Sequence, residues 1–309
     1  MDIDDKYLAP CDRIPKKTSL IKWAGGKSKL AGKIDKYREG RNLVFIPFAG
    51  GLGYGLYALQ DMRVRLFLAD LEDDVVNFWR HIQQSPFEMF ALFNQFPREA
   101  GWQGEYYDIR AAFNARTKFP DKSRSRAACF WWLNRACYNG LWRKNKAGEF
   151  NTPRGSYSRI VLPPLIRVLN ISWLLQRAHI APSGQDYGAT LAWAQKTALQ
   201  ANRRTRLHQK DRPKYRAFVY ADPPYSGTFS KYTSTGFEDH HHRHLSASLS
   251  HLHRTGINVA ISNSGQGNRF YPGWQREVVA SRRTLSRDGS KRGLTQEILA
   301  YKTHGDTSA

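Results

Sequence analysis

The residues Ala221-Asp222-Pro223-Pro224-Tyr225 close an apolar run that begins at Ala217. Two consecutive prolines have no N–H to give to a sheet ladder, so a strand that reaches them must stop there. They also fix the direction in which the chain leaves the strand. A buried strand ending in such a turn belongs at the carboxyl edge of an open α/β sheet, where ligands of these sheets bind. An acid before the turn and an aromatic after it suit methylation of a planar amino group such as adenine N6. That nitrogen is a poor nucleophile because its lone pair is delocalised into the ring. The Asp222 carboxylate and the Pro223 carbonyl can both accept hydrogen bonds from it. This favours a tetrahedral nitrogen and offsets positive charge as a methyl group arrives. Tyr225 can stack on a base drawn out of a duplex. The five residues alone also fit an ordinary strand-ending turn, so the rest of the chain has to decide.

Leu43 to Phe48 reads as a first strand, stopping at Ala49-Gly50-Gly51-Leu52-Gly53, with a helix over Tyr54 to Gln60. Arg65 to Ala69 reads as a second strand and ends on Asp70. Strand, glycine turn, helix, strand and acid open a parallel α/β sheet. The glycines allow a cofactor to approach the backbone. Asp70 can accept hydrogen bonds from ribose hydroxyls, or else cap the helix that begins near Asp73. From Asp73 to about Arg135 the pattern is helical, marked by Val75, Val76 and Trp79 and by Tyr106, Ile109 and Phe113. Asn139-Gly140 and Ala147-Gly148 then punctuate a hairpin or long loop. Later strands are expected at Ala217 to Ala221, Asn258 to Ser262, Gln275 to Ala280 and Glu297 to Tyr301, with a helix from about Phe237 to Arg254. The sheet is therefore expected to draw on both ends of the chain, around a helical insert.

Charge narrows the partner. Forty-eight Lys and Arg stand against 26 Asp and Glu, a formal net charge of +22. Between Arg116 and Arg167 twelve cations face only Asp121 and Glu149, so this stretch supplies ten of the net positive charges. Such an excess fits a polyanion, and nucleic acid first, because phosphate neutralisation supplies much of that binding. Three cysteines, Cys11, Cys129 and Cys137, form no CxxC pair or even framework, which points to a reducing compartment. Asp2, Asp4 and Asp5 lead into no apolar run, so no signal peptide is expected, nor a membrane span. The expected location is cytoplasmic.

Lys22-Trp23-Ala24-Gly25-Gly26-Lys27 adds a lid-like turn, in which the tryptophan can cover a ligand while a lysine meets a carboxylate. It lacks P-loop spacing. The order KWAGGK, PFAGG, LAD, NRACYNGLWRKNKAGEFNTPRGSY, DPPY and ISNS, from about Ile21 to Lys302, resembles the Dam family of DNA adenine-N6 methyltransferases. The resemblance implies a Rossmann-like α/β methyltransferase domain, built from 1–74 and 166–309. A mainly helical target-recognition domain with a basic hairpin would fill 75–165. S-adenosyl-L-methionine is the implied cofactor, met by Trp23, Lys27, Phe48, Gly50, Asp70, Asp222 and, around Gln185, by Asp186 and Tyr187. Asp222, Pro223, Pro224 and Tyr225 are the implied catalytic residues. Double-stranded DNA is the implied partner, read by Lys22, Leu141, Arg143, Pro153 and Tyr157. Tyr138 and Asn139 would wedge beside a flipped adenine. Arg143 can pair with a guanine edge and Tyr138 can replace lost stacking. GATC is the leading target, in a prokaryotic or phage-infected cell and close to the nucleoid, and no obligate protein partner is implied.

Two positions depart from the family's pattern: Ile46 stands where it commonly has an acid, and Leu52 where it has a glycine. They keep two alternatives open, a DNA-binding relative without catalysis and an enzyme of this fold acting on RNA. The stretch from Asp186 to Pro213 is longer than expected. Its tail, Arg203 to Arg216, carries seven cations and one acid and either tracks phosphates or forms a solvated loop. The histidines at 240, 241, 242, 244, 251 and 253 suggest a metal only superficially. A helix scatters consecutive histidines around its circumference and no cysteine joins them, so no metal is expected.

Overall fold

A computed structural model describes residues 19–207, 216–226, 237–282 and 294–305. Its strands are β1 (Leu43–Ile46), β2 (Arg65–Leu68), β3 (Ala178–Ile180), β4 (Ala217–Ala221), β5 (Asn258–Ser264), β6 (Gln275–Arg282) and β7 (Leu294–Lys302). They form one sheet in the order β3-β2-β1-β4-β5-β7-β6. The first five of these run parallel, and β7 lies antiparallel to both β5 and β6. The helices are α1 (Ala31–Lys36), α2 (Gly53–Ala58), α3 (Asp73–Gln84), α4 (Pro86–Asn94), α5 (Trp102–Ala115), α6 (Arg124–Ala136), α7 (Leu165–Leu175), α8 (Tyr187–Leu207) and α9 (Asp239–Arg254).

The two-residue period of the strands sorts their side chains onto two cores. Val44, Ile46, Leu66, Leu68, Phe218, Tyr220, Ala260 and Leu299 join the core that includes α1 to α3, α6 and α7. Leu43, Phe45, Ala217, Val219, Ala221, Val259, Ile261, Ile298 and Ala300 join the other, against α8 and α9. Burial on both faces explains why β1 and β4 are apolar throughout and read as unbroken runs in the sequence. β1 pairs with β2 on one side and β4 on the other. The strand order thus reverses direction at β1 and β4, and a crevice opens beyond their carboxyl ends. Pro47 leaves one wall of it and Asp222 the other.

The helical insert shares the first core and does not stand apart from it. Trp131 and Trp132 of α6 are fully buried with Phe78, Phe93 and Trp102. The ring centroids of Phe93 and Trp131 are 4.6 Å apart. One buried ion pair joins α6 to the first turn of α3: Arg126 Nε meets Asp74 Oδ1 at 2.6 Å and Nη2 meets Oδ2 at 3.1 Å. A two-pronged guanidinium–carboxylate pair fixes orientation as well as distance.

Several expectations are corrected. β1 stops at Ile46, not Phe48, and the following helix ends at Ala58, not Gln60. Within 186–213, α8 occupies Tyr187–Leu207, and the tail from Arg203 to Arg216 falls largely outside the residues whose side chains are described. The short helix α1, helix α7 and strand β3 add to the elements expected from the sequence pattern. α6 ends at Ala136, close to the expected Arg135, and Cys137 caps it in an extended conformation, buried like Cys129. The expected hairpin exists as two antiparallel bridges, Cys137 with Arg154 and Lys144 with Phe150. Among the described residues no helix is long and apolar enough to cross a membrane.

Candidate active site

Asp222 emerges from β4 into the crevice beside Lys27, whose Nζ lies 2.9 Å from Asp222 Oδ1. The same Nζ is 3.5 Å from Glu297 Oε1 on β7 and 4.9 Å from the centre of the Tyr225 ring. The Tyr225 hydroxyl donates to Glu297. Burial lifts the Asp222 carboxyl to about 6, the nearby Glu297 charge adds to the rise, and Lys27 opposes it. The turn after the prolines is pinned by the end of β5. Asn263 Oδ1 accepts from Ser226 N–H at 3.2 Å and the Ser264 hydroxyl donates to Ser226 C=O at 2.8 Å. The Ile261-Ser262-Asn263-Ser264 segment thus fixes the course of the chain after Pro223 and Pro224.

The glycine segment after β1 lies under Trp23. A Cβ on Gly50 would come within 2.5 Å of the Trp23 ring nitrogen and one on Gly51 within 2.9 Å of Trp23 Cβ. Only glycine permits so close a stack. Gly50 N–H donates to Asp70 Oδ2 at 2.8 Å, and Glu72 N–H donates to Oδ1 at 3.0 Å. The cap of α3 is Glu72, not Asp70, which removes the capping alternative for Asp70. Gln185 N–H donates to the Asp70 carbonyl at 2.8 Å, bringing residues 185–187 to this edge. Phe48, Tyr187 and Phe237 then form an aromatic wall, with ring centroids 5.7 to 6.0 Å apart. Asp186 is exposed and accepts from Gly188 N–H at the start of α8.

Ile46 is buried against α2, where a Cβ on Gly55 would lie 3.0 Å from its Cδ1. Leu52 sits at φ +55° and ψ +27°, the left-handed region, as the residue before α2. The family's glycine position therefore keeps a glycine-like backbone with a leucine in it. Its side chain is buried against Gly55.

A second cluster gathers most of the residues assigned to DNA. Lys22 N–H donates to Asn134 Oδ1 and Asn134 Nδ2 donates back to Lys22 C=O, both at 2.8 Å. Lys22 Nζ lies 3.8 Å over the Tyr157 ring and donates to the Arg135 carbonyl. Burial, with the Arg135 charge, lowers the Lys22 ammonium to about 8. Asn139 N–H donates to the Tyr157 hydroxyl at 3.1 Å, and Tyr138 N–H to Pro153 C=O at 2.9 Å. Asn139 takes φ +54°, which asparagine tolerates, and lies exposed beside the equally exposed Tyr138. Leu141 is half-buried and its carbonyl accepts from the Thr152 hydroxyl. Arg143 is held within the hairpin by Asn151, Nε to Oδ1 at 2.7 Å.

The clusters meet through one stretch of chain: Lys22 belongs to the second and Trp23 and Lys27 to the first. Residue patterns alone miss Asn134, Glu297 and the bonds by which Asn263 and Ser264 hold the turn at Ser226. Asn134 and Asn263 are uncharged and buried, and their partners are distant in sequence. Among the described residues no group of three or more His, Cys, Asp or Glu is placed to hold a metal ion. The histidines of α9 diverge: His242 is buried and stacks on Phe270, whereas the His244 ring is bonded to the Tyr187 hydroxyl.

Comparison with known proteins agrees with this geometry. The profile of the D12 class N6 adenine-specific DNA methyltransferases matches residues 23–285. A DNA adenine methylase of Vibrio cholerae is 31% identical over 299 residues, covering 93% of this chain and 97% of the relative. The type II methyltransferase M.MjaIII of Methanocaldococcus jannaschii is 28% identical over 88% of this chain and 94% of its own length. The DNA N-6-adenine-methyltransferase of Escherichia phage P1 is 29% identical over 91% of this chain, which matches 35% of that longer protein. The chain belongs to the D12 class of N6 adenine-specific DNA methyltransferases.

Proposed function

We propose that the chain transfers a methyl group from S-adenosylmethionine to adenine N6 in double-stranded DNA, at GATC or a related site, with the target base turned out of the helix. The observation that carries the reading is the meeting of Lys27, Asp222 and Tyr225 at the β1–β4 crevice, beside the Trp23, Gly50 and Asp70 bed. The adenine and the DNA follow from the family and from relatives named for methylating adenine in DNA.

The donor set suits S-adenosylmethionine. Asp70 offers a carboxylate oriented by two backbone amides for the ribose hydroxyls. Phe48 and Tyr187 offer an aromatic wall for the adenine ring, with Asp186 beside them. Trp23 and Lys27 close over the remainder. The bound cofactor supplies an electrophilic methyl group on a sulfonium. Asp222 and the Pro223 carbonyl accept the N6 hydrogens and hold the nitrogen lone pair toward that methyl, and Pro224 keeps the turn rigid. Tyr225 stacks on the extruded base. Acceleration comes from positioning and from charge placed where it develops.

Tyr138 and Asn139 enter the duplex at the vacated position. Lys22, Leu141, Arg143, Pro153 and Tyr157 read and frame the neighbouring pairs. On this reading residues 75–165 act as the target-recognition domain and 1–74 with 166–309 as the catalytic one. Transfer of tritiated methyl to duplex DNA, compared with RNA and with DNA lacking GATC, tests substrate and site together. Transfer to RNA alone would overturn the reading, and methylation-sensitive sequencing of host DNA reports the motif.

A further inference from the structure

Glu297 lies on β7 where the strand pattern calls for an apolar side chain. Its alternate neighbour Leu299 packs into the first core, and β7 is covered by β5 on one side and β6 on the other. Yet Glu297 is a carboxylate only 6% exposed. A buried carboxylate is costly unless paired, and here both partners belong to the reaction site. The Tyr225 hydroxyl donates to it, and Lys27 Nζ stands 3.5 Å from Oε1 while meeting Asp222 at 2.9 Å.

We propose that Glu297 is a positioning residue for methyl transfer: it holds the Tyr225 ring by its hydroxyl and shares Lys27, so that Asp222 is left free to accept the N6 hydrogens. The proposal rests on the methyltransferase reading of this site.

Without Glu297 the ammonium of Lys27 and the hydroxyl of Tyr225 both converge on Asp222. Lys27 then has one carboxylate in place of two, and the single proton of the Tyr225 hydroxyl, given to Glu297 in the wild-type site, can turn to Asp222. An Asp222 saturated in this way accepts poorly from a substrate amino group. Glu297 also places a second negative charge close to Asp222, which raises the Asp222 carboxyl alongside burial. Among the described residues, the groups facing Asp222 are Lys27, Glu297, Tyr225 and Tyr220. Of these, Glu297 is the other carboxylate.

The test uses the full-length enzyme with duplex DNA and S-adenosylmethionine, comparing Glu297→Gln, Glu297→Ala, Tyr225→Phe and the Glu297→Ala/Tyr225→Phe double variant. Glu297→Gln keeps size and an acceptor for Tyr225 but removes the charge, so the acid limb of kcat should move to lower pH. Glu297→Ala should lower kcat by about tenfold or more with little change in DNA affinity, the signature of an interaction used in the transition state. In the double variant the losses should be less than multiplicative, because both changes break one contact. Unchanged kcat and an unmoved acid limb in both Glu297 variants, with wild-type transfer intact, would overturn the role of Glu297 alone. Losses that only track the folded fraction, with the limb unmoved, would overturn it too. Absence of transfer by the wild-type enzyme would reject the methyltransferase reading itself.

Discussion

At Asp222 two influences oppose each other: burial favours the neutral acid and Lys27 favours the carboxylate. Burial wins, and the group is lifted to about 6 from its ordinary range. In the proposed mechanism the carboxylate is the form that accepts N6 hydrogens, so single-turnover methyl transfer should fall as pH drops through about 6. Asp222→Asn should remove that limb and lower the rate by about 100-fold or more, the scale for losing one oriented transition-state partner. The same shift has a consequence for stability. A carboxyl whose folded value is raised opposes folding once pH exceeds the unfolded value near 3.8 and the group ionises. Thermal scans at neutral pH should therefore show Asp222→Asn at least as stable as wild type despite its slower transfer. Leu52 presents a different balance. Replacing it by glycine relieves a left-handed backbone worth about 1–2 kcal/mol, but empties a buried leucine site worth about 3–5 kcal/mol. The lost packing outweighs the relieved backbone. Leu52→Gly should lose about 2 kcal/mol in urea denaturation, and a more stable variant would show that the backbone cost dominates.

Among the elements, the strands are the most legible in sequence, because sheet burial on both faces leaves unbroken apolar runs such as Leu43 to Ile46 and Ala217 to Ala221. β3 is not legible: it is three residues long and includes the exposed His179. α8 is hidden by its own polar composition, since its last turns are rich in arginine and its pattern resembles a loop. The candidate site divides along the same line. The motif residues proposed to meet ligand, Lys27, Asp70 and Asp222, stand out by type and position. Asn134 and Glu297 do not, because their meaning lies in contacts with segments 72 or more residues away in the chain. Asn134 gives a prediction at this scale. Both ends of its buried amide serve the Lys22 backbone, so Asn134→Leu leaves a donor and an acceptor unpaired and should cost about 2–4 kcal/mol, read by urea denaturation. DNA affinity should fall with it, as Lys22 comes away from Tyr157. The Arg126–Asp74 pair between α6 and α3 should be comparably sensitive. Arg126→Leu leaves the buried Asp74 carboxylate to the more distant Lys144, 3.7 Å away, and should cost about 3 kcal/mol.

For the whole molecule, the net charge of +22 governs encounter with DNA more than the final complex. The logarithm of DNA affinity should fall linearly with the logarithm of salt concentration. Removing one phosphate-contacting cation from the 116–167 stretch should lower that slope by about one while sequence preference persists. A steeper change in preference than in slope would mark a base-reading residue instead. The segment from Lys22 to Lys27 has a further consequence. One end is tied to α6 through Asn134, the other to the turn after β4 through Asp222. Such a ribbon is a measuring gauge whose length is set by the distance between the two anchors. One inserted residue displaces an anchor by about 3.8 Å along the chain, farther than either contact can stretch. Surface loops elsewhere can lengthen over evolutionary time. This ribbon has no such freedom, and an insertion scan of the gene should show a sharp gap in tolerance there.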